Sequence, residues 1–141
     1  MFNIGFRGSP FIRDEENLLL GRLEGFGLHE DFWSPLDYWQ EEQYEVQWRQ
    51  GIQRVLDGKI SALIVSMRDP ELSNFIDWWL LYAFEDQVIF QNQMLFLQNL
   101  RAPFNTDDIY TSIRPYRRHN LEGEALSEWR VPKCALQDFM K

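Results

Sequence analysis

Cysteine is nearly absent. The 141 residues hold one, Cys134, so an internal disulfide framework is excluded and a reducing compartment is the expectation. Histidine is almost as scarce. His29 and His119 stand far apart, and with a single cysteine they do not make the ligand spacing of a zinc site. No apolar run reaches the 18 residues of a membrane-spanning helix. The start, Met1-Phe2-Asn3-Ile4-Gly5, lacks a basic stretch followed by an apolar one, so no secretory signal is expected and the expected location is the cytoplasm. There is no Gly-Lys-Ser/Thr phosphate loop, no dinucleotide-type glycine spacing and no Gly-x-Ser-x-Gly elbow. The residues offer no catalytic constellation, no metal site and no cofactor site. Basic charge is also short, with 14 Lys and Arg against 22 acids and a net charge of −8. That argues against direct nucleic-acid binding, which rests on neutralised phosphates, and against an anionic membrane as partner.

Aromatic residues are abundant, at 16% of the chain with 6 Trp. They bury more area than other side chains, so a chain of this length has aromatics for a core and some left for a surface. The length fits one domain, which we take as residues 1–141.

The clearest element is a helix from Leu36 or Gln40 to Leu56. Tyr44, Trp48, Ile52, Val55 and Leu56 form one apolar stripe at helical period. Glu41, Glu42, Glu45, Gln47, Arg49, Gln50 and Gln53 fill the expected wet face, and Asp57-Gly58 supplies the stop. Strands are expected at Phe2–Phe6, Leu18–Leu28 and Ile60–Met67, the last buried on both faces. Phe75–Phe84 and Val88–Leu97 read as a hairpin across a three-residue turn. Ala125–Val131 reads as a last strand. Gly8-Ser9-Pro10, Arg13–Asn17, Ser34–Asp37, Ala102–Asp108 and Arg114–Gly123 read as breaks, turns or loops. Pro132 opens a short terminal helix with Cys134, Leu136, Phe139 and Met140 toward the core, which makes Cys134 a packed thiol. The fold class is α+β, a mainly antiparallel sheet packed by one long helix and a short C-terminal helix.

Two features point outward. From Leu23 to Trp48 there are seven acids and no Lys or Arg, and aromatics (Phe26, Phe32, Trp33, Tyr38 and Trp39) sit among them. Such a block either solubilises a surface or docks a basic partner. Aromatics beside charge are the residue types of interface anchors. The candidate binding residues are Glu30, Asp31, Trp33, Asp37, Trp39, Glu41, Glu42 and Glu45.

Trp33-Ser34-Pro35-Leu36-Asp37-Tyr38-Trp39, Tyr44-x-x-x-Trp48-Arg49, Ser61-Ala62-Leu63-Ile64, Trp78-Trp79, Gln91-Asn92-Gln93-x-Leu95-Phe96, Pro103-Phe104 and Ser127-Glu128-Trp129 form an ordered series. The series resembles the immunity proteins of bacterial contact-dependent growth inhibition systems, over about residues 18–131. The resemblance implies a non-enzymatic protein, a monomer in our reading, that binds the C-terminal toxin domain of a cognate toxin in the cytoplasm. Many such toxins are nucleases, whose basic charge an acidic face would complement. Trp48, Trp78 and Trp129 read as core and are not carried over as binding residues. The residues alone leave open an acidic protein-interaction adaptor without toxin specificity, and a small enzyme.

Overall fold

The computed structural model describes residues 1–120 and 122–141; Leu121, inside the loop expected at Arg114–Gly123, lies outside the described residues. The chain runs β1 (Asn3–Arg13), β2 (Glu16–Gly25), β3 (Leu28–Pro35), α1 (Glu41–Leu56), β4 (Ser61–Ser66), β5 (Phe75–Phe84), β6 (Gln87–Phe96), β7 (Glu128–Pro132) and α2 (Lys133–Met140). Short 3-10 turns at Leu97–Asn99 and Ile109–Ser112 lie between β6 and β7. All strand pairs are antiparallel. The strands form two sheets, β1-β2-β3 and β4-β5-β6-β7. The α+β reading therefore holds, with the sheet divided in two.

Several boundaries differ from the sequence expectation. β1 continues past Gly8-Ser9-Pro10 because the register shifts between Arg7 and Phe11, with Gly8 at φ 72°; the segment expected to end the strand is an irregularity within it. Arg13–Asn17 is no loop. Asp14 and Glu15, at φ 51° and 66°, make a two-residue turn between Arg13 and its partner Glu16. The β5–β6 turn is likewise two residues, since Phe84 pairs with Gln87.

β3 has no counterpart in the expectation. Leu28, Phe32 and Ser34 are buried, alternating with exposed His29, Asp31 and Trp33, but Glu30 stands exposed at an inward position. That one residue spoils the alternation, and Ser34-Pro35 reads as a turn although it closes the strand. β7 starts at Glu128 rather than Ala125.

α1 starts one residue after Gln40, whose N–H is held by the Gln43 side chain at 2.8 Å. Its apolar stripe packs on β4, and Trp48 is 2% exposed, as the period requires. Gln47 corrects the reading. The helical period puts it on the wet face, yet it is 4% exposed, because its amide completes backbone bonding on β4. Its Nε2 donates to Ala62 O at 2.8 Å, and its Oε1 accepts from Ile64 N–H at 2.7 Å. Trp48 Nε1 donates to Ile64 O at 2.7 Å, Ser34 Oγ donates to Val65 O at 2.6 Å, and Tyr44 Oη accepts from Met67 N–H at 3.0 Å. The side of β4 away from β5 is thus bonded to side chains. That is where one continuous sheet becomes two.

Cys134 is also corrected. It is exposed. On α2 the buried and half-buried residues are Lys133, Ala135, Leu136, Phe139 and Met140, and Cys134 lies about 200° around the helix from Leu136. The thiol therefore faces away from the core.

Two substitutions test this packing. Trp48→Ala should cost about 3–5 kcal/mol, the range for a buried large aromatic; denaturant midpoints equal to wild type would contradict the packing. Gly51→Ala should destabilise even though alanine favours a helix by about 1 kcal/mol. A Cβ at Gly51 meets Ala62 O at 2.5 Å and Leu63 Cδ2 at 2.8 Å, and the first is backbone. A Gly51→Ala melting temperature above wild type would show that α1 stands farther from β4.

Candidate protein-binding surface

The eight candidate residues fall into three places. Asp31 and Trp33 lie on the outer face of β3, and Glu30 lies on the opposite face of the same strand, also exposed. Asp31 is neutralised by the neighbouring strand. Arg22 Nε donates to its Oδ1 at 2.7 Å and holds the carboxyl below its ordinary pKa. Arg7 pairs with Glu24 at 2.8 Å on the same sheet. Read along the sequence, the block contains no base; across the sheet, β1 and β2 supply the bases. Trp33 is 42% exposed. Its ring meets Phe11 edge-on at 5.3 Å, and the Arg13 guanidinium lies 5.2 Å over it, a stacked arrangement on an open face.

Asp37 and Trp39 lie in the link to α1. Asp37 accepts from Asn17 Nδ2 at 3.1 Å and from Asn17 N–H at 3.3 Å. It therefore ties the link to the start of β2. Trp39 is half-buried, edge-on to Tyr44 at 5.3 Å.

Glu41, Glu42 and Glu45 are exposed on the first turns of α1. The Glu45 carboxyl is pushed above its ordinary pKa, first by partial burial and then by repulsion from Glu41 and Glu42. The three form an acidic strip, and among the described residues none of them is paired with a base, unlike Asp31 of β3. Their position at a helix N-terminus makes the concentration of negative charge tolerable.

The structure adds a groove that sequence reasoning missed. It runs between α1 and residues 106–110, and Glu42 and Trp39 line it together with Tyr38, Val46, Asp107 and Tyr110. Tyr38 and Val46 are 39% and 48% exposed. Val46 was the legible signal, an apolar residue standing off the buried stripe among polar neighbours. Asp107 and Tyr110 carried none, because only the fold brings their loop to the helix. A second concavity lies over β5 and β6, with Asn92, Gln93, Arg114 and Arg117 among its walls. Among the described residues no three His, Cys, Asp or Glu side chains converge on a metal-sized site, and no helix is long and apolar enough to cross a membrane.

The family profile for the CdiI N-terminal domain matches residues 34–139. The chain belongs to the CdiI family. The immunity protein CdiI of Enterobacter cloacae subsp. cloacae is 31% identical over 140 residues, covering 99% of this chain and 96% of its own. A solved CdiA-CT/CdiI toxin and immunity complex from Enterobacter cloacae contains a chain that superposes with a TM-score of 0.89 at 30% identity. It covers 99% of this chain and 96% of that one. The resemblance noted in the sequence therefore extends over nearly the whole length, β1 and β2 included.

The acidic strip generates a pH prediction. Glu45 has its folded pKa raised, so its protonated form favours the fold. The stability this gives is full below the unfolded value and is lost as pH rises through the raised folded value. Glu45→Gln should therefore be more stable than wild type at neutral pH, with the gap closing below about pH 4. Denaturant titrations at several pH values check this, and a constant gap across pH would contradict it.

Proposed function

We propose that this chain is the immunity protein that binds and neutralises the cognate C-terminal toxin domain of a contact-dependent growth inhibition toxin. It acts as one immunity-type domain spanning residues 1–141, in the cytoplasm, by binding alone and with neither catalysis nor cofactor. The observation that carries this reading is the near-complete likeness to a chain solved within a toxin and immunity complex. Co-expression with the toxin domain encoded immediately upstream of this chain, followed by co-purification and a survival assay, tests it.

The finer reading is that the toxin is a nuclease. The net charge of −8 supports it, since a protein built to hold phosphates presents bases that an acidic inhibitor complements. Of the eight candidate residues, Glu41, Glu42 and Glu45 then face the toxin. Asp31 is occupied by Arg22, and Asp37 by Asn17. Glu30, Trp33 and Trp39 stay in the proposed binding set as neighbours of that strip rather than its centre.

Electrostatic steering acts mainly on association, which reaches 10⁸–10⁹ M⁻¹s⁻¹ at low salt for complementary pairs. Glu41→Lys with Glu45→Lys should slow toxin association by about 10-fold or more and flatten its salt dependence. Stopped-flow kinetics at two salt concentrations measure both. Unchanged rates at both would place the interface elsewhere.

A further inference from the structure

The groove between α1 and residues 106–110 has a composition that the immunity reading leaves unexplained. Glu42 enters it from the helix and Asp107 from the loop, and among the described residues no Lys or Arg lines it. Arg54, which reaches the groove residue Tyr110, is committed: its guanidinium stacks 4.5 Å from the Tyr110 ring, and its Nε donates to Ile60 O at 2.8 Å. The remaining walls mix aromatic and apolar side chains with the amides of Gln43, Gln47 and Gln50 and the Thr106 hydroxyl. Tyr38 and Val46 are open to solvent, although the chain has a core in which to bury such groups. Gln47 closes the inner side, its amide fixed to Ala62 and Ile64 on β4.

Two carboxylates beside one exposed ring, Tyr38, and two half-buried ones, Trp39 and Tyr110, repel phosphates and carboxylate ligands. They fit a group that is cationic, flat and able to bond in several directions at once. A guanidinium has that chemistry. It stacks on aromatic faces, and its planar fork meets carboxylates with paired hydrogen bonds. An ammonium satisfies the charge but makes poorer use of the rings. The volume, about 610 Å³, lies within the range of sites that enclose a sizeable group rather than a single ion. Glu41 and Glu45 precede the groove residues Glu42 and Val46 on the same turns of α1, so a macromolecule guided by that strip arrives beside the groove.

We propose that this groove seats an arginine side chain projected from the toxin domain, held between Glu42 and Asp107 against Tyr38 and Trp39. The proposal rests on the immunity reading and gives it a contact point. Glu41 and Glu45 steer the approach, and Glu42 and Asp107 hold the docked arginine. The two pairs therefore act on different rate constants. Loss of a seated charge partner is felt in dissociation, because the arginine is left desolvated and unpaired.

The test is binding of the purified toxin domain encoded immediately upstream to the full-length immunity chain, followed by biosensor. Glu42→Gln with Asp107→Asn should raise Kd about 100-fold or more, chiefly through a faster dissociation rate. Both residues are exposed, so the variant should melt within error of wild type. Tyr38→Ala, which keeps both charges, should accelerate dissociation about 5-fold or more. Glu85→Lys, an exposed acid on the β5–β6 turn, should change Kd by less than about 3-fold. A folded Glu42→Gln, Asp107→Asn protein that binds like wild type overturns the groove and leaves the immunity reading standing. A wild-type chain that does not bind the toxin domain overturns both.

Discussion

The free edge of β4 is the constraint on which the rest of the structure depends. A strand at a sheet edge carries a row of unpaired backbone groups, and a buried edge cannot turn to water for them. Here β4 is buried and its outward row is closed by side chains: Gln47 at Ala62 and Ile64, Trp48 at Ile64, Ser34 at Val65 and Tyr44 at Met67. An unmet buried group costs ~1–3 kcal/mol, so the row amounts to a large fraction of a typical domain's stability. The same bonds fix how α1 lies. Gly51 permits the close approach, and Ser61 Oγ donates to Gly51 O at 2.7 Å from the strand side.

Fixing one side of α1 determines what its other side is free to do. The buried residues Tyr44, Gln47, Trp48, Gly51, Ile52 and Val55 form the clamp. The helix rotation is then set, and Glu42 and Val46 must face outward toward residues 106–110. Tyr44 joins the clamp to the link that carries Trp39, donating to Pro35 O at 2.7 Å. Burial pushes its phenol well above the ordinary tyrosine range, so it stays a neutral donor across working pH. The aromatic excess resolves in the same terms. Phe6, Phe32, Tyr44 and Trp48 meet edge-on or tilted in the space between the first sheet and α1. Phe11, Phe26, Trp33, Tyr38, Phe84 and Phe96 are the surplus left on the surface.

Helix α1, its core stripe and the burial of the strand at Ile60–Met67 were legible from local patterns. That strand reads as central but is an edge, because side chains rather than another strand close its outer row. The β5–β6 hairpin was also legible, apart from the length of its turn. β3 was hidden by Glu30, a charge at an inward position of an exposed strand. Gln47 was hidden by its type, since an amide on a helix is ordinarily solvated and only the partner strand reveals its use. Cys134 was misplaced by its apolar neighbours, and the helix phase centred on Leu136 turns it outward. For the candidate site, the acidic charge was legible but its pairing was not. Arg22 and Arg7 lie close in sequence to the block yet outside it, and only antiparallel pairing brings them onto Asp31 and Glu24. Asp107 and Tyr110 reach α1 from more than 50 residues downstream, a distance no local pattern records.

Amide hydrogen exchange on the free chain and on its complex with the toxin domain tests the central claim most directly. That claim is a helix clamped to β4 by side chains, with its outer flank free for a partner. The Ile64 and Met67 amides are held by the Gln47 and Tyr44 side chains. The account predicts that both exchange as slowly as interior sheet amides in either state, while toxin binding slows exchange at residues 106–110. Fast exchange at Ile64 and Met67, or new protection confined to the outer face of β1–β3, would contradict it.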